Sequence, residues 1–252
     1  MTNQQLAASK VPAVTLGFWI IKVLCTTLGE TGGDTLSMTW DLGYALSTAI
    51  FVVPFAALVW AQIAARNFNS WLYWSTIVAS TMIGTTIADY ATRSLGIGYP
   101  GGSLLLLGLV FASLAAWKAA LGTVDVNRIA TPRAEMFYWL TITFSQTLGT
   151  ALGDWTAHDN LGYLGAAALF GALLAVLVIL YRWTAISRVG LFWAAFILTR
   201  PLGATVGDFL DKPLNQGGLD FSRPIASAVL AVVIVLLIVL IPQRAGRHPE
   251  KT

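Results

Sequence analysis

A chain of 252 residues, 56% hydrophobic and only 11% charged, with a mean hydropathy of +0.71, cannot be a water-soluble domain, because such a domain carries roughly a quarter charged residues. The formal net charge of +3 comes from basic residues spread over short loops and tails, which excludes a nucleic-acid-binding face. One cysteine, Cys25, excludes a disulfide framework or a multi-cysteine metal site, and its place inside an apolar segment reads as packing.

In chain order, Met1 to Pro12 is a polar tail without the apolar core and small-residue cleavage site of a signal peptide, so the first apolar segment is expected to be retained. Eight apolar segments follow, near 13–34, 43–64, 70–89, 99–121, 135–154, 162–183, 188–208 and 222–242. Each reaches or approaches the roughly 20 residues needed to cross a hydrocarbon core. They fall into four copies of one pattern, a Trp followed ten residues later by Gly and fifteen residues later by Asp: Trp19, Gly29, Asp34; Trp74, Gly84, Asp89; Trp139, Gly149, Asp154; Trp193, Gly203, Asp208. Three copies have a Tyr nine or ten residues after the Asp, as Gly43-Tyr44, Gly98-Tyr99 and Gly162-Tyr163, whereas the fourth has Asp220-Phe221 at a longer spacing. The implied division is a tail at 1–12, repeats at 13–65, 66–130, 131–186 and 187–243, and a tail at 244–252.

Two crossings per copy start every copy on the same side, so the repeats are parallel, unlike the inverted repeats of many transporters. The expected fold is all-α: a polytopic bundle of eight transmembrane helices in four parallel two-helix repeats, with pseudo-symmetry about the membrane normal. Lys10, Arg66, Lys118, Arg128, Arg133, Arg182, Arg188, Arg244, Arg247 and Lys251 lie on the side of both ends, against Arg93, Lys212 and Arg223 opposite. This asymmetry predicts cytoplasmic termini. The repeated Trp, with Trp60, Trp117 and Trp183, then reads as an interfacial aromatic belt on the cytoplasmic side.

On the Trp-to-Asp pattern, over about residues 13–242, the chain resembles an uncharacterised family of bacterial membrane proteins built from four tandem two-helix repeats. The resemblance implies the repeat architecture and a bacterial inner (cytoplasmic) membrane. It implies no activity.

Ionisable groups inside membrane helices cost roughly 2.5–3.5 kcal/mol each on insertion scales, so each is a candidate site. Glu30 lies four residues before Asp34, placing both carboxylates on one helix face, and Asp89, Asp154 and Asp208 supply the equivalent acid elsewhere. With the hydroxyls of Thr85 and Thr150 they form an oxygen-rich set suited to a hard cation, so the five acids are the expected metal ligands. The competing reading is structural: about nineteen residues at 1.5 Å each bring the Asp close to the outer interface, where it would start a turn. Glu30, one turn deeper and unmatched in the other copies, is read as functional. Lys22, two turns before Glu30, reads either as a competitor for the transported ion or as a snorkelling or paired cation. Arg200, two turns before Asp208, carries the same two readings, a competitor on the ion pathway or a structural ion-pair partner, and the following Pro201 favours the second. Gln146 occupies the position of Thr26, Thr81 and Arg200, polar in all four copies, and is expected in an interhelical hydrogen-bond layer or on the pathway.

The expected function is a permease for a small cation, a divalent metal such as manganese favoured, with proton coupling as a route to uphill transport. No phosphate-binding loop is present to use a nucleotide. Neither HExxH nor GxSxG occurs, which weighs against a membrane-embedded enzyme, although the Glu30 and Asp34 pair could serve acid-base chemistry. A scaffold without chemistry is the third reading. No cofactor is expected; the partners are the bilayer, the cation and further copies of the chain.

Overall fold

The computed structural model describes residues 9–246, so Arg247, Lys251 and the outermost parts of both tails lie outside it. Eight α-helices follow in order: α1 (Leu16–Asp34), α2 (Gly43–Ala64), α3 (Ser70–Asp89), α4 (Gly98–Leu121), α5 (Pro132–Thr156), α6 (Gly162–Trp183), α7 (Arg188–Asp211) and α8 (Arg223–Leu240). Every odd helix opens with a side-chain cap: Thr15, Asn69, Thr131 and Ser187 accept the amides of Phe18, Leu72, Ala134 and Gly190. The first three even helices begin differently. Each follows a π-turn (Thr35–Thr39, Tyr90–Ser94, Ala157–Leu161) and a left-handed glycine, with φ of +70° at Gly43, +72° at Gly98 and +65° at Gly162. This explains the repeated Gly-Tyr: the glycine reverses the chain and the tyrosine starts the helix. In the fourth copy Asp220 takes the left-handed conformation, at +57°. Among the described residues a Cβ at Gly43 would meet nothing within 4 Å. Gly43→Ala therefore isolates backbone strain, and should lower unfolding stability in micelles by roughly 1–2 kcal/mol.

The odd helices form a closed inner ring, α1 against α3, α3 against α5, α5 against α7 and α7 against α1. Each even helix lies outside, not on its own partner but on the odd helix of the following copy: α2 on α3, α4 on α5, α6 on α7, and α8 back on α1. The copies are thus interlocked around the ring. The repeated glycine makes the ring possible, because a Cβ on Gly29 would come within 2.2 Å of Thr81, on Gly84 within 2.9 Å of Gln146, on Gly149 within 2.0 Å of Arg200, and on Gly203 within 2.0 Å of Thr26. Each glycine receives the polar residue that lies three positions before the glycine of the neighbouring copy. Small residues at the crossing let the backbones approach this closely.

Five helices, α2, α4, α6, α7 and α8, are long and apolar enough to cross a membrane on their own. The other three, α1, α3 and α5, line the inner ring and carry its hydroxyls and acids, which lowers their hydropathy. The outer helices turn apolar side chains such as Val53, Leu104, Val178 and Val239 outward, a continuous surface suited to hydrocarbon.

The repeated Trp is not an interfacial belt. Trp74, Trp139 and Trp193 are buried and Trp19 is half-buried, packed with the aromatic residue preceding each of them, Phe18, Tyr73, Tyr138 and Phe192. The reason is topological: a Trp on an inner helix meets protein rather than lipid. The Tyr73 and Tyr138 hydroxyls pair at 2.6 Å, while the Trp74 ring donates to Gln243 Oε1 at 3.2 Å and that of Trp193 to the Val124 carbonyl at 2.9 Å. Trp117 is also buried; Trp60 and Trp183 do lie exposed. At this same end, Pro12 bridges Ala245 and Lys10 pairs with Glu135 at 2.6 Å, which ties the segments beside the two tails together.

Candidate functional site

Along each inner helix a stripe at i, i+4 spacing points into the ring, starting one residue before the Trp and ending at the Asp. The stripe runs Phe18, Lys22, Thr26, Glu30, Asp34 in α1 and Tyr73, Ile77, Thr81, Thr85, Asp89 in α3. It continues as Tyr138, Ile142, Gln146, Thr150, Asp154 in α5 and Phe192, Phe196, Arg200, Ala204, Asp208 in α7. All twenty side chains are buried, the most accessible at 8%. The interior therefore grades from aromatic through apolar and hydroxyl layers to four aspartates. Three charged residues break the repeat: Lys22 in the apolar layer, Arg200 in the amide and hydroxyl layer, and Glu30 in the next, where Ala204 stands in place of a threonine.

Arg200 fills the middle of the ring. Its Nη1 donates to Glu30 Oε2 at 3.0 Å and to the Thr26 carbonyl at 3.4 Å. Its Nη2 donates to Thr85 Oγ1 at 2.6 Å, to the Thr81 carbonyl at 3.5 Å and to the Thr150 hydroxyl. Thr85 and Thr150 also contact Glu30 Oε2, at 3.3 and 3.4 Å. One guanidinium from the fourth copy thus touches all three others. A charge this deep is tolerable only because carboxylate, hydroxyls and carbonyls replace its hydration.

Asp34 and Asp89 end α1 and α3 with helical backbone and lead directly into the π-turns at Thr35–Thr39 and Tyr90–Ser94, while α5 and α7 run past Asp154 and Asp208. All four are buried, held inward by two cations placed four residues after an Asp. Arg93 Nε pairs with Asp89 at 3.1 Å and its Nη2 with Asp154 at 2.8 Å. Lys212 Nζ lies 2.8 Å from Asp34 Oδ2, 2.9 Å from Asp208 Oδ1 and 3.9 Å from Asp211. Each cation joins its own copy to the next, so the layer has a twofold alternation within the fourfold repeat. The matching positions in the first and third copies are Met38 and His158.

Glu30, Asp34 and Asp208 each bring a carboxylate oxygen within 4.8 Å of the other two. Asp89 and Asp154 stand apart from this trio, bridged by Arg93. Six buried carboxylates (Glu30, Asp34, Asp89, Asp154, Asp208 and Asp211) face Arg93, Arg200, Lys212 and Arg223, a formal surplus of two negative charges. A polar cleft of about 130 Å³ opens beside the layer, lined by Arg93, Tyr99, Asp154, His158, Tyr163 and Asp208 among others.

Lys22 reaches neither acid nor solvent. Its ammonium is buried without a hydrogen-bond partner among the described residues and lies 4.3 Å from the centroid of the Phe196 ring. Gln146 donates to Ser80 at 3.4 Å, on the neighbouring helix. Arg93 and Lys212 are legible in the sequence as more than outer-side charges, since each follows an Asp by four residues. The repeated tyrosines also belong to the site: Tyr44 accepts from Arg93 at 3.2 Å, and Tyr99 and Tyr163 line the cleft.

Residues 17–68, 72–123, 137–187 and 191–244 each match the family described as Repeat of Unknown Function (DUF347). No curated protein and no solved structure matches the chain.

Proposed function

The chain belongs to the family described as Repeat of Unknown Function (DUF347), and from the site its four copies build we propose that it is an integral membrane permease for a small cation. A divalent metal such as manganese is the favoured substrate, with proton exchange at the carboxylates as the coupling route. In this reading all eight helices cross a bacterial inner membrane, the copies are related by an axis along the membrane normal, and both ends are cytoplasmic. Pairing of residues 9–13 with 244–246 at one end of the bundle supports the shared side.

The carrying observation is the convergence of Glu30, Asp34 and Asp208, with oxygens within 4.8 Å, in a buried layer that holds more carboxylates than cations. Oxygen ligands of this kind suit hard cations, and a surplus of negative charge in a low-dielectric interior calls for a positive counter-charge. The cleft beside Asp154 and Asp208 supplies an approach from the aspartate end. Towards the other end the Arg200–Glu30 pair, and beyond it the aromatic layer, close the ring; permeation requires the pair to part.

The test is flux of Mn²⁺, with a panel of mono- and divalent cations and a pH-reporting dye, into proteoliposomes. Wild-type protein should give saturable uptake of one cation, lost in Glu30→Gln and strongly reduced in Asp154→Asn. Wild-type vesicles silent toward the whole panel would end the reading.

A further inference from the structure

Lys212 sits where a substrate cation would sit. Its ammonium is held by Asp34 at 2.8 Å and Asp208 at 2.9 Å, two members of the converging trio, and Asp211 lies 3.9 Å away. Asp34 is 1% exposed, and its second oxygen, Oδ1, has no hydrogen-bond partner among the described residues, so one acceptor of the site remains available.

The fourth copy is built to deliver this side chain. It lacks the π-turn that follows the aspartate in the other three; α7 instead runs on to Asp211, and Lys212 is its C-cap. The loop behind it folds back, with the amides of Leu219, Asp220 and Phe221 donating to the carbonyls of Phe209, Lys212 and Leu210 at 2.8, 2.9 and 2.9 Å. Gly218 packs so close to Lys212 that a Cβ would lie 2.0 Å from its carbonyl oxygen. The longer spacing of this copy therefore has a structural product: an anchored backbone at the lysine, with a flexible four-carbon stem beyond it.

Arg93 provides the contrast. It bridges Asp89 and Asp154 through two different guanidinium nitrogens and is further fixed by Tyr44, a planar fork suited to a permanent clamp. An ammonium is a compact point charge with rotatable donors, which a metal ion can replace. We propose that Lys212 is a tethered, displaceable counter-ion. It fills the cation site of the resting protein and swings out toward the aspartate-side surface when a divalent cation takes Asp34, Asp208 and Glu30. The site then never stands as bare carboxylates in the membrane, and the cation must compete with the lysine to enter. This inference rests on the permease reading and assigns the regulation of its site.

The experiment titrates Mn²⁺ alone into the purified full-length protein in detergent, with free Mn²⁺ read from its EPR signal. Lys212→Gln should bind about tenfold tighter than wild type or better, because a competing charge within a few ångströms is gone. Lys212→Arg, which keeps the charge, should bind about tenfold weaker, since its fork holds both aspartates as Arg93 does. Arg223→Gln removes an equal charge that pairs with Asp34 at 3.8 Å and Asp211 at 3.3 Å but, among the described residues, not with Asp208, and should tighten binding much less than Lys212→Gln. Equal tightening in Lys212→Gln and Arg223→Gln would reduce the effect to bulk electrostatics and overturn the proposal. Wild-type binding that is unchanged in both Lys212 variants would overturn it while leaving the permease reading intact. An absence of Mn²⁺ binding in every protein would remove the reading and this inference together. If the glutamine variant does not fold, the arginine variant carries the test: wild-type affinity there overturns the proposal.

Discussion

Arg200→Met is expected to destabilise the bundle by about 3–5 kcal/mol, and Arg200→Met combined with Glu30→Gln by much less. The guanidinium is fully buried and is the charge partner of Glu30 at 3.0 Å, so its loss strands a carboxylate in the middle of the ring. Thr85 and Thr150 remain near Glu30, but hydroxyls cannot neutralise its charge. Removing both charges leaves a glutamine that the same hydroxyls can satisfy, beside an apolar side chain of similar reach. Unfolding in micelles for wild type, both single variants and the double variant gives the coupling, expected at the upper end of about 0.5–3 kcal/mol for contacting residues. Additive losses would mean that the pair is not a unit, and that Arg200 acts only through the hydroxyls and carbonyls.

Gly203→Ala is the second large effect, a loss of about 1–3 kcal/mol or more from overpacking. The added methyl would lie 2.0 Å from Thr26 Oγ1, 2.5 Å from its Cβ and 2.9 Å from its backbone carbon. A side-chain rotation cannot clear the last two contacts, so α1 and α7 must separate where the last copy closes on the first. Two hydrogen bonds across this crossing weaken with it: Thr26 to the Thr199 carbonyl at 3.1 Å, and Arg200 to the Thr26 carbonyl at 3.4 Å. Gly171→Ala in α6 is the control. Among the described residues nothing lies within 4 Å of its added methyl, so the change should gain up to about 1 kcal/mol from helix propensity. Equal effects at the two sites, measured by the same unfolding assay, would show that the glycine repeat is not a packing device.

The two variants divide the repeat into a structural part and a chemical part. Glycine and its facing polar residue recur at all four inner crossings, where each glycine receives the polar side chain of the neighbouring copy. Lys22, Glu30 and Arg200 occur once each, in the first and last copies that meet at the closing crossing between α1 and α7. These exceptions to the repeat are the residues on which the proposed permease chemistry rests. The alternation of Arg93 and Lys212 extends this logic to the aspartate layer, where four equivalent acids become two unequal pairs.

Much of this was legible from spacing alone. Trp, Gly and Asp at fixed intervals located four copies, and the helix bounds agree with the apolar segments to within a few residues. The polar position of Thr26, Thr81, Gln146 and Arg200 was legible as a shared layer. The Trp expectation failed for a physical reason: Trp74, Trp139 and Trp193 point to an interface only while depth along a helix is counted without knowing which helices are inside the ring, and the same placement puts the aspartates, legible either as site acids or as turn residues, in a buried layer.

The chain by itself determined everything that depends on neighbours along one helix: the all-helical class, the period of the copies, the stripe from aromatic residue to aspartate, and the glycine at each crossing. These are properties of 1.5 Å per residue and 3.6 residues per turn, and a string of letters carries them. Only the tertiary structure decided which copy meets which: that α8 returns to α1, that Arg200 finds Glu30 across 170 positions, and that Lys212 rather than another cation lies between Asp34 and Asp208. Such pairings follow from closing a ring of helices, whose contacts join residues far apart in the chain and leave no period in any single segment.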